Sequence, residues 1–382
     1  MPADAPPGTG RLRVAVDATP LLGPRTGVGR FCEGALGALG ARPELDVDAF
    51  AVTWRRRRLL APLVPAGVRV QQRSMPARPL HQAWAHTGGP AIEWFVGRAD
   101  VVHGTNFVVP PTRRAARVVT VHDLTAVHFP ELCDRSTLGY PGMIRRALAD
   151  GAWVHTPSRF VAEEVVAAFG VDPSRVRAVP HGIPRPAAGP SPGVAPALPP
   201  GTTRYVLAVG TVEPRKDYPG LVHAFTDVAG ADPGLALVVA GADGWGAGAF
   251  HRAVAASPAA GRVVQLGFVP DAALAGWLAG AAVLAYPSVY EGFGFPPLEA
   301  MAVGVPVVAT SAGAVPEVVG DAAVLVAPRD VDALAEALSR VLDDDDLRAD
   351  LVGRGKRQSD GFSWQACAAG LSALYADAAR AR

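Results

Sequence analysis

Lysine is almost missing from this chain: of its 36 basic residues, only Lys216 and Lys356 are not arginine. Where arginine is the default cation, a retained lysine carries information about its own position. Cysteine is scarce as well. Cys32, Cys133 and Cys367 are odd in number and far apart, which excludes a disulfide framework, and no two have metal-ligand spacing. Cysteine usage of this kind points to a reducing, cytosolic compartment. No run of 18 uninterrupted apolar residues occurs, so no membrane-spanning helix is expected. The start, "MPADAPPGTGRLRVAVD", has no basic segment followed by an apolar block. It reads as a short disordered leader, not a signal peptide. There is no G-x-S-x-G elbow, no Walker loop and no Cys/His cluster, and a net charge of +1 gives no surplus for a nucleic-acid partner.

What is present is a long apolar chain. Its 382 residues are 49% hydrophobic, enough for two packed domains and too much for one ordinary core. Charge is unevenly spread: Met1 to Pro184 carries about +7 and the remainder about −6. The four arginines Arg55 to Arg58 stand out. They are either a solvated loop or a patch for an anionic acceptor or a membrane surface.

Strand-like and helix-like segments alternate along the chain. "RLRVAVDAT", "LDVDAFAV", "ADVVHGTN", "ARVVTVHDL" and "GAWVHTPS" are the strands of a first series, with helical segments between several of them. "PRPAAGPSPGVAPALPPGTT", Pro184 to Thr203, has no periodicity and reads as a linker. A second series follows, with "RYVLAVGT", "LALVVAG", "RVVQLGFV", "AVLAYPS", "VPVVAT" and "AAVLVAP" as strands. "DVDALAEALSRVLDDDDLRADLVGRGKRQ" reads as helical, and "SWQACAAGLSALYADAARA" as a last helix. Such alternation indicates an α/β chain with two Rossmann-like, doubly wound parallel sheets. The expected domains are 1–184 and 204–362, joined by linker 185–203. Ligands of such sheets sit at the carboxyl ends of the strands, so a cleft between the domains is the expected site.

The densest motif is "VYEGFGFPPLEAMAVGVPVVAT", Val289 to Thr310. Pro296 and Pro297 are natural first-turn residues and predict a helix starting near Pro296, with Glu299 in its first turn. Gly292 and Gly294 allow close backbone approach, and a helix N-terminus suits a phosphate. Glu291 and Glu299 would then accept hydrogen bonds from sugar hydroxyls; Glu299 could instead merely stabilise its own helix. In "VGTVEPRKDYPG", Arg215 and Lys216 follow a buried strand, where paired cations can neutralise a diphosphate or simply stand exposed. "VVTVHDL" sends His122 and Asp123 out of another strand. His122 reads as a hydroxyl ligand, a proton-transfer group or a satisfied structural histidine. "TGVGR", Thr26 to Arg30, opens a helix with glycines, and His103 in "VVHGTN" is expected at the same cleft.

These elements, in this order, resemble the retaining glycosyltransferases of family 4 with the GT-B fold, in a mannosyltransferase-like branch. The likeness spans nearly the whole chain and is most specific in "EPRKD" and "YEGFGFPPLEAMAVGVPVVAT". It implies that Arg215 and Lys216 bind the donor diphosphate, Glu299 the ribose, and Glu291 the transferred sugar. Gly292, Phe293 and Gly294 would form the loop against sugar and phosphate, and His122 would meet the sugar. Gly27 would lie near the phosphates, and the backbone around Phe268 and Val269 near the base. The resemblance further implies no metal or cofactor, and a last helix, Trp364 to Ala379, crossing back onto the N-terminal half. The donor would be a nucleotide-sugar, GDP-mannose or alternatively a UDP-sugar, and the acceptor a saccharide or lipid-linked molecule. The place would be cytoplasmic, with peripheral contact to the inner membrane face through Arg55 to Arg58.

Other readings fit less. A nicotinamide oxidoreductase should show G-x-G-x-x-G, but "GVGRFCEG" has Cys32 at the third glycine. A pyridoxal-phosphate enzyme of this fold needs a Schiff-base lysine, and two lysines leave little room for one. A nucleotide-sugar-binding protein without activity would keep the same residues.

Overall fold

The computed structural model describes residues 10–23, 26–86, 88–184 and 198–382. The expected leader, Met1 to Thr9, and most of the expected linker, 185–197, lie outside the described residues.

The first half is a seven-stranded parallel sheet. Its strands are β1 (Leu12–Asp17), β2 (Leu45–Phe50), β3 (Arg69–Val70), β4 (Val101–Gly104), β5 (Ala116–Thr120), β6 (Trp153–Thr156) and β7 (Val176–Ala178). Their order is β3-β2-β1-β4-β5-β6-β7. The second half is a six-stranded parallel sheet of β8 (Arg204–Val209), β9 (Leu235–Ala240), β10 (Val263–Gln265), β11 (Val283–Tyr286), β12 (Val307–Thr310) and β13 (Val324–Val326). Its order is β10-β9-β8-β11-β12-β13. In both sheets the order reverses beside the first strand of the half, at β1/β4 and at β8/β11. A reversal of this kind leaves a crevice at the carboxyl ends of the strands.

Burial on both faces explains the near-continuous apolar strands. Every residue of β9, "LALVVA", is buried. One face of the second sheet is covered by Leu221, Phe225 and Leu338, the other by Leu274, Trp277 and Leu298. In the first half, Phe31, Leu36 and Leu39 from the helix Gly27–Gly40 cover one face and Met75, Ile92 and Ile144 the other. Each such side chain stabilises its half by about 1.5–3 kcal/mol of transfer free energy. The last helix, Trp364–Arg380, returns to the first half and buries Cys367, Leu371, Leu374 and Tyr375 against Phe31 and Val16.

Two strands and one helix break escape the sequence pattern. The edge strands β3 and β7 have two and three residues, too short to show a period of two. The acidic stretch near residue 344 is two helices, Val331–Asp343 and Asp345–Asp360. Asp344 takes an extended conformation, and its carboxylate accepts a hydrogen bond from the Leu347 amide at 2.8 Å, capping the second helix. Among the described residues, no helix is long and apolar enough to cross a membrane.

Candidate active site

A cleft of about 540 Å³ opens between the two halves. Its walls bring together His122 from the end of β5, Arg215 and Lys216 from the loop after β8, Phe268 and Val269 from the loop after β10, and Glu291 to Gly294 from the loop after β11. Gly27, the first residue of its helix, completes the rim. Glu299 and His103 are the exceptions among the expected residues. Glu299 lines a neighbouring cavity of about 320 Å³, which shares Arg30, Leu274 and Phe295 with the cleft.

The two cations do not stand free. Lys216 Nζ lies 2.5 Å from Glu291 Oε1, and Arg215 Nη1 lies 2.5 Å from Glu291 Oε2. Arg215 Nη2 is 2.6 Å from Glu213, and Nη1 also donates to the Tyr290 carbonyl at 3.0 Å. Lys216 Nζ sits 4.8 Å above the Tyr286 ring, and only 8% of Lys216 is exposed. Such a buried set persists because its charges cancel. Burial alone would raise the Glu291 carboxyl, but Arg215 and Lys216 together pull it down to about 2. Burial lowers the Lys216 ammonium, with Glu291 opposing it. Burial works against Arg215 too, and is overcome by Glu291 and Glu213, which leave its guanidinium more firmly protonated than usual. A short 3-10 turn, Pro214–Lys216, sets both cations, and Asp217 at φ 46° ends it by capping the next helix through Gly220.

His122 is fixed in one tautomer. Its Nε2 is 2.8 Å from the Thr105 carbonyl, which can only accept, so Nε2 carries the proton in the neutral ring. Nδ1 is then an acceptor. Burial holds the imidazole below its ordinary range, with Thr105 and Asp123 opposing. The glycine loop of the second half closes directly on this strand end. A Cβ at Gly292 would stand 1.8 Å from the His122 carbonyl oxygen, so only glycine fits there. Ser158 Oγ donates to the Gly292 carbonyl at 2.9 Å, and the Leu124 amide to Tyr290 Oη at 3.0 Å.

Three expectations need correction. The helix after the glycine loop is Phe295–Ala302, starting one residue earlier than expected because Gly294, at φ 142°, serves as its N-cap. Glu299 is therefore its fifth residue, and no acid lies in the first turn. Its carboxylate faces Arg30, with Nη1 at 2.6 Å from Oε1, while Arg30 Nη2 reaches Asp271 at 2.6 Å. The Glu299 Oε2 atom is buried with no hydrogen-bond partner among the described residues. Second, Pro296 and Pro297 occupy the second and third helical positions and lack N–H groups, so the helix start offers fewer amide donors than its dipole suggests. Third, His103 does not line the cleft. It is buried with Nδ1 at 2.6 Å from Tyr375 Oη and Nε2 at 2.7 Å from Thr120 Oγ1, a packing role completed by the last helix.

Sequence reasoning passed over His181 and gave Arg30 no role. The His181 ring stacks on Phe295 at 5.4 Å and lies 4.3 Å from Phe31. Its Nδ1 is buried without a partner among the described residues. The only signal was a polar residue in "VPHGIP", just ahead of the linker.

Two facing parallel-sheet α/β halves, with buried cations and carboxylates in the crevice between them, define the GT-B class of glycosyltransferases. Residues 25–185 match the family described as Glycosyltransferase Family 4, and residues 195–358 the one described as Glycosyl transferases group 1. The O-antigen chain mannosyltransferase B of Escherichia coli is 34% identical over 274 residues, covering 70% of this chain and 71% of that one. A D-inositol 3-phosphate glycosyltransferase of Segniliparus rotundus is 31% identical over 320 residues, covering 78% and 68%. The sucrose-phosphate synthase of Thermosynechococcus elongatus superposes with a TM-score of 0.75 at 20% identity, covering 97% of this chain and 100% of that one. The chain belongs to glycosyltransferase family 4, with mannosyltransferases among its relatives, and is a glycosyltransferase of glycan biosynthesis.

Proposed function

We propose that the cleft binds a nucleotide-sugar, GDP-mannose before others, and transfers its hexose to a saccharide or lipid-linked acceptor with retention of configuration. The observation that carries this is the buried Arg215–Lys216 pair at the sheet reversal, facing the cleft beside Glu291. Arg215 and Lys216 take the diphosphate, and the unpartnered Glu299 Oε2 is a ready acceptor for ribose hydroxyls. Gly27 lies near the phosphates, the backbone at Phe268 and Val269 meets the base, and Gly292 to Gly294 line the sugar. The C1–O bond to the diphosphate breaks with its electron pair going to the phosphate oxygen. The acceptor oxygen bonds to C1 and gives up its proton to the departing phosphate oxygen. Cations held in place before the bond breaks stabilise that developing charge without reorganisation, and no metal is needed for it. His122, neutral and with Nδ1 open, accepts from a sugar hydroxyl. Mannose is favoured by the Escherichia coli relative, whose name states a mannosyltransferase.

The work would be done at the cytoplasmic membrane face. Arg55, Arg56 and Arg58 are exposed, and Trp54 and Leu59 beside them are 59% and 53% exposed. Cations with interleaved apolar side chains suit an anionic lipid surface. A thermal-shift screen with GDP, UDP, ADP and TDP tests the donor reading, since a ligand of the native state raises Tm. A shift with none of the four would sink it. GDP-mannose turnover, with product anomers read by NMR, then tests sugar and stereochemistry.

A further inference from the structure

A third, smaller cavity of about 180 Å³ lies against the cleft and shares Asp123, Glu213 and Arg215 with it. We propose that this cavity is the acceptor subsite and takes the terminal ring of a neutral saccharide, not a phosphorylated one. The proposal rests on the cleft binding the donor, and it names the acceptor class.

The walls fit a pyranose ring. Phe107 and Tyr140 stack at 4.5 Å with 17° between their planes, and both line the cavity. Phe107 is held at φ 58°, a conformation few bulky residues adopt, by its amide donating to the Thr120 carbonyl at 2.9 Å. That setting also puts its ring 5.6 Å from His122, so one aromatic side chain joins the cavity to the reacting end of the cleft. Trp245 closes the opposite side. It comes from the loop after β9 in the second half, and its Nε1 donates to the Leu132 carbonyl of the first half at 3.2 Å. The subsite is thus complete only when the halves are together. Trp245 nonetheless remains 48% exposed, more than its single hydrogen bond requires. Aromatic faces of this kind pack on the C–H face of a sugar, while carboxylates accept from its hydroxyls.

Charge decides between acceptor classes. Among the described residues, the one cation lining the cavity is Arg215, already held by Glu213 and Glu291. Asp123 and Glu213 leave the lining one charge negative. With the donor diphosphate taking Arg215, a phosphate on the acceptor would meet only the carboxylates of Asp123 and Glu213, whereas a neutral hydroxyl meets an acceptor.

Saturation-transfer NMR on the full chain tests this, with a saturating nucleoside diphosphate present. The probes are methyl pyranosides of the neutral hexoses, D-inositol 3-phosphate and mannose 6-phosphate. At least one neutral pyranoside should give signal and the phosphates none. Tyr140→Ala and Trp245→Ala should weaken that binding by about tenfold or more. Trp245→Phe, which keeps an aromatic wall, should restore it. The nucleotide-induced Tm rise checks that each variant is folded. Binding of the phosphates in place of the neutral sugars, binding of no pyranoside, or equal binding by wild type and both alanine variants would each overturn the subsite. Failure of wild type to gain Tm with any nucleotide is a separate result, which sinks the donor reading instead.

Discussion

Glu291 occupies both cations that a diphosphate would need, so neutralising it should strengthen nucleotide binding while weakening turnover. Two unit charges about 4 Å apart attract by ~4 kcal/mol at an effective dielectric constant near 20. Glu291 makes two such contacts, each at 2.5 Å between heavy atoms. An entering diphosphate must share Arg215 and Lys216 with it, or push it aside. In Glu291→Gln the competitor becomes a neutral amide of the same size. If a third to a half of one contact is recovered, free nucleoside diphosphate should bind about tenfold or more tighter. If Glu291 meets the transferred sugar, turnover should fall by on the order of a hundredfold, because that charged contact is lost.

The same substitution has a stability signature that separates it from a simple surface change. Removing one member of a buried ion set costs about 3–5 kcal/mol when the rest is left uncompensated. Glu213 still balances Arg215, so the loss should fall toward the low end. Ligand-free Tm drops, and added nucleotide raises it by more than in wild type. The pH dependence follows from the carboxyl held at about 2 against an ordinary 4.5. A depressed acid contributes stability in full above its unfolded value and loses it as pH falls through the folded one. Wild type should therefore shed this contribution between pH 4.5 and 2, and Glu291→Gln should lack that loss. Titration calorimetry with the nucleotide identified by thermal shift decides the matter. Affinity in a folded Glu291→Gln protein equal to or below wild type would refute the competition.

Lys216→Ala should lower kcat/KM by on the order of a hundredfold, as loss of a preorganised charge at the leaving group does; a folded variant with near-wild-type kinetics would remove Lys216 from that role. Glu299→Gln should weaken free nucleotide and donor alike, largely as uniform binding, so that calorimetry moves in the opposite direction from Glu291→Gln. Activity should survive EDTA, and loss restored by Mg²⁺ or Mn²⁺ would count against charge neutralisation by side chains alone. Wild type should co-sediment with anionic liposomes and the Arg55–Arg58 fourfold serine variant should not; equal, negligible binding by both leaves a solvated loop.

Much of this molecule is legible before its structure because the relevant signals are local. An apolar strand followed within about twenty residues by a turn and a helical pattern announces most of the α/β units, and at Phe295–Ala302 a glycine loop and two prolines mark the helix start as well. Arg215 and Lys216 could be placed by their position after an apolar strand, and Gly292 by its neighbours. Apart from the short edge strands β3 and β7 and the helix break at Asp344, what remained illegible joins residues far apart in the chain. Arg30 and Glu299 are 269 positions apart, and nothing near either one names the other. His103 looked like a cleft residue because a polar side chain at a strand end often is one. Its actual partner, Tyr375, arrives from the last helix, 272 positions later.

The unread side-chain contacts are made where the last helix folds back onto the first half, as at His103 and Tyr375, or where the two halves meet, as at Arg30 and Glu299, and the second kind bears on mechanism. Glu299 illustrates the consequence. Read within its own helix it is an acid near a dipole, but Arg30 from the other half fixes one of its oxygens and leaves Oε2 buried and unpartnered. A buried oxygen with no donor is costly unless a ligand supplies one. The same ion pair that ties the halves together thus leaves an acceptor waiting in the cavity beside the cleft. If Glu299 binds the ribose as proposed, the contact between the halves and nucleotide binding share one carboxylate, and the Arg30–Glu299 pair is where the two would be coupled.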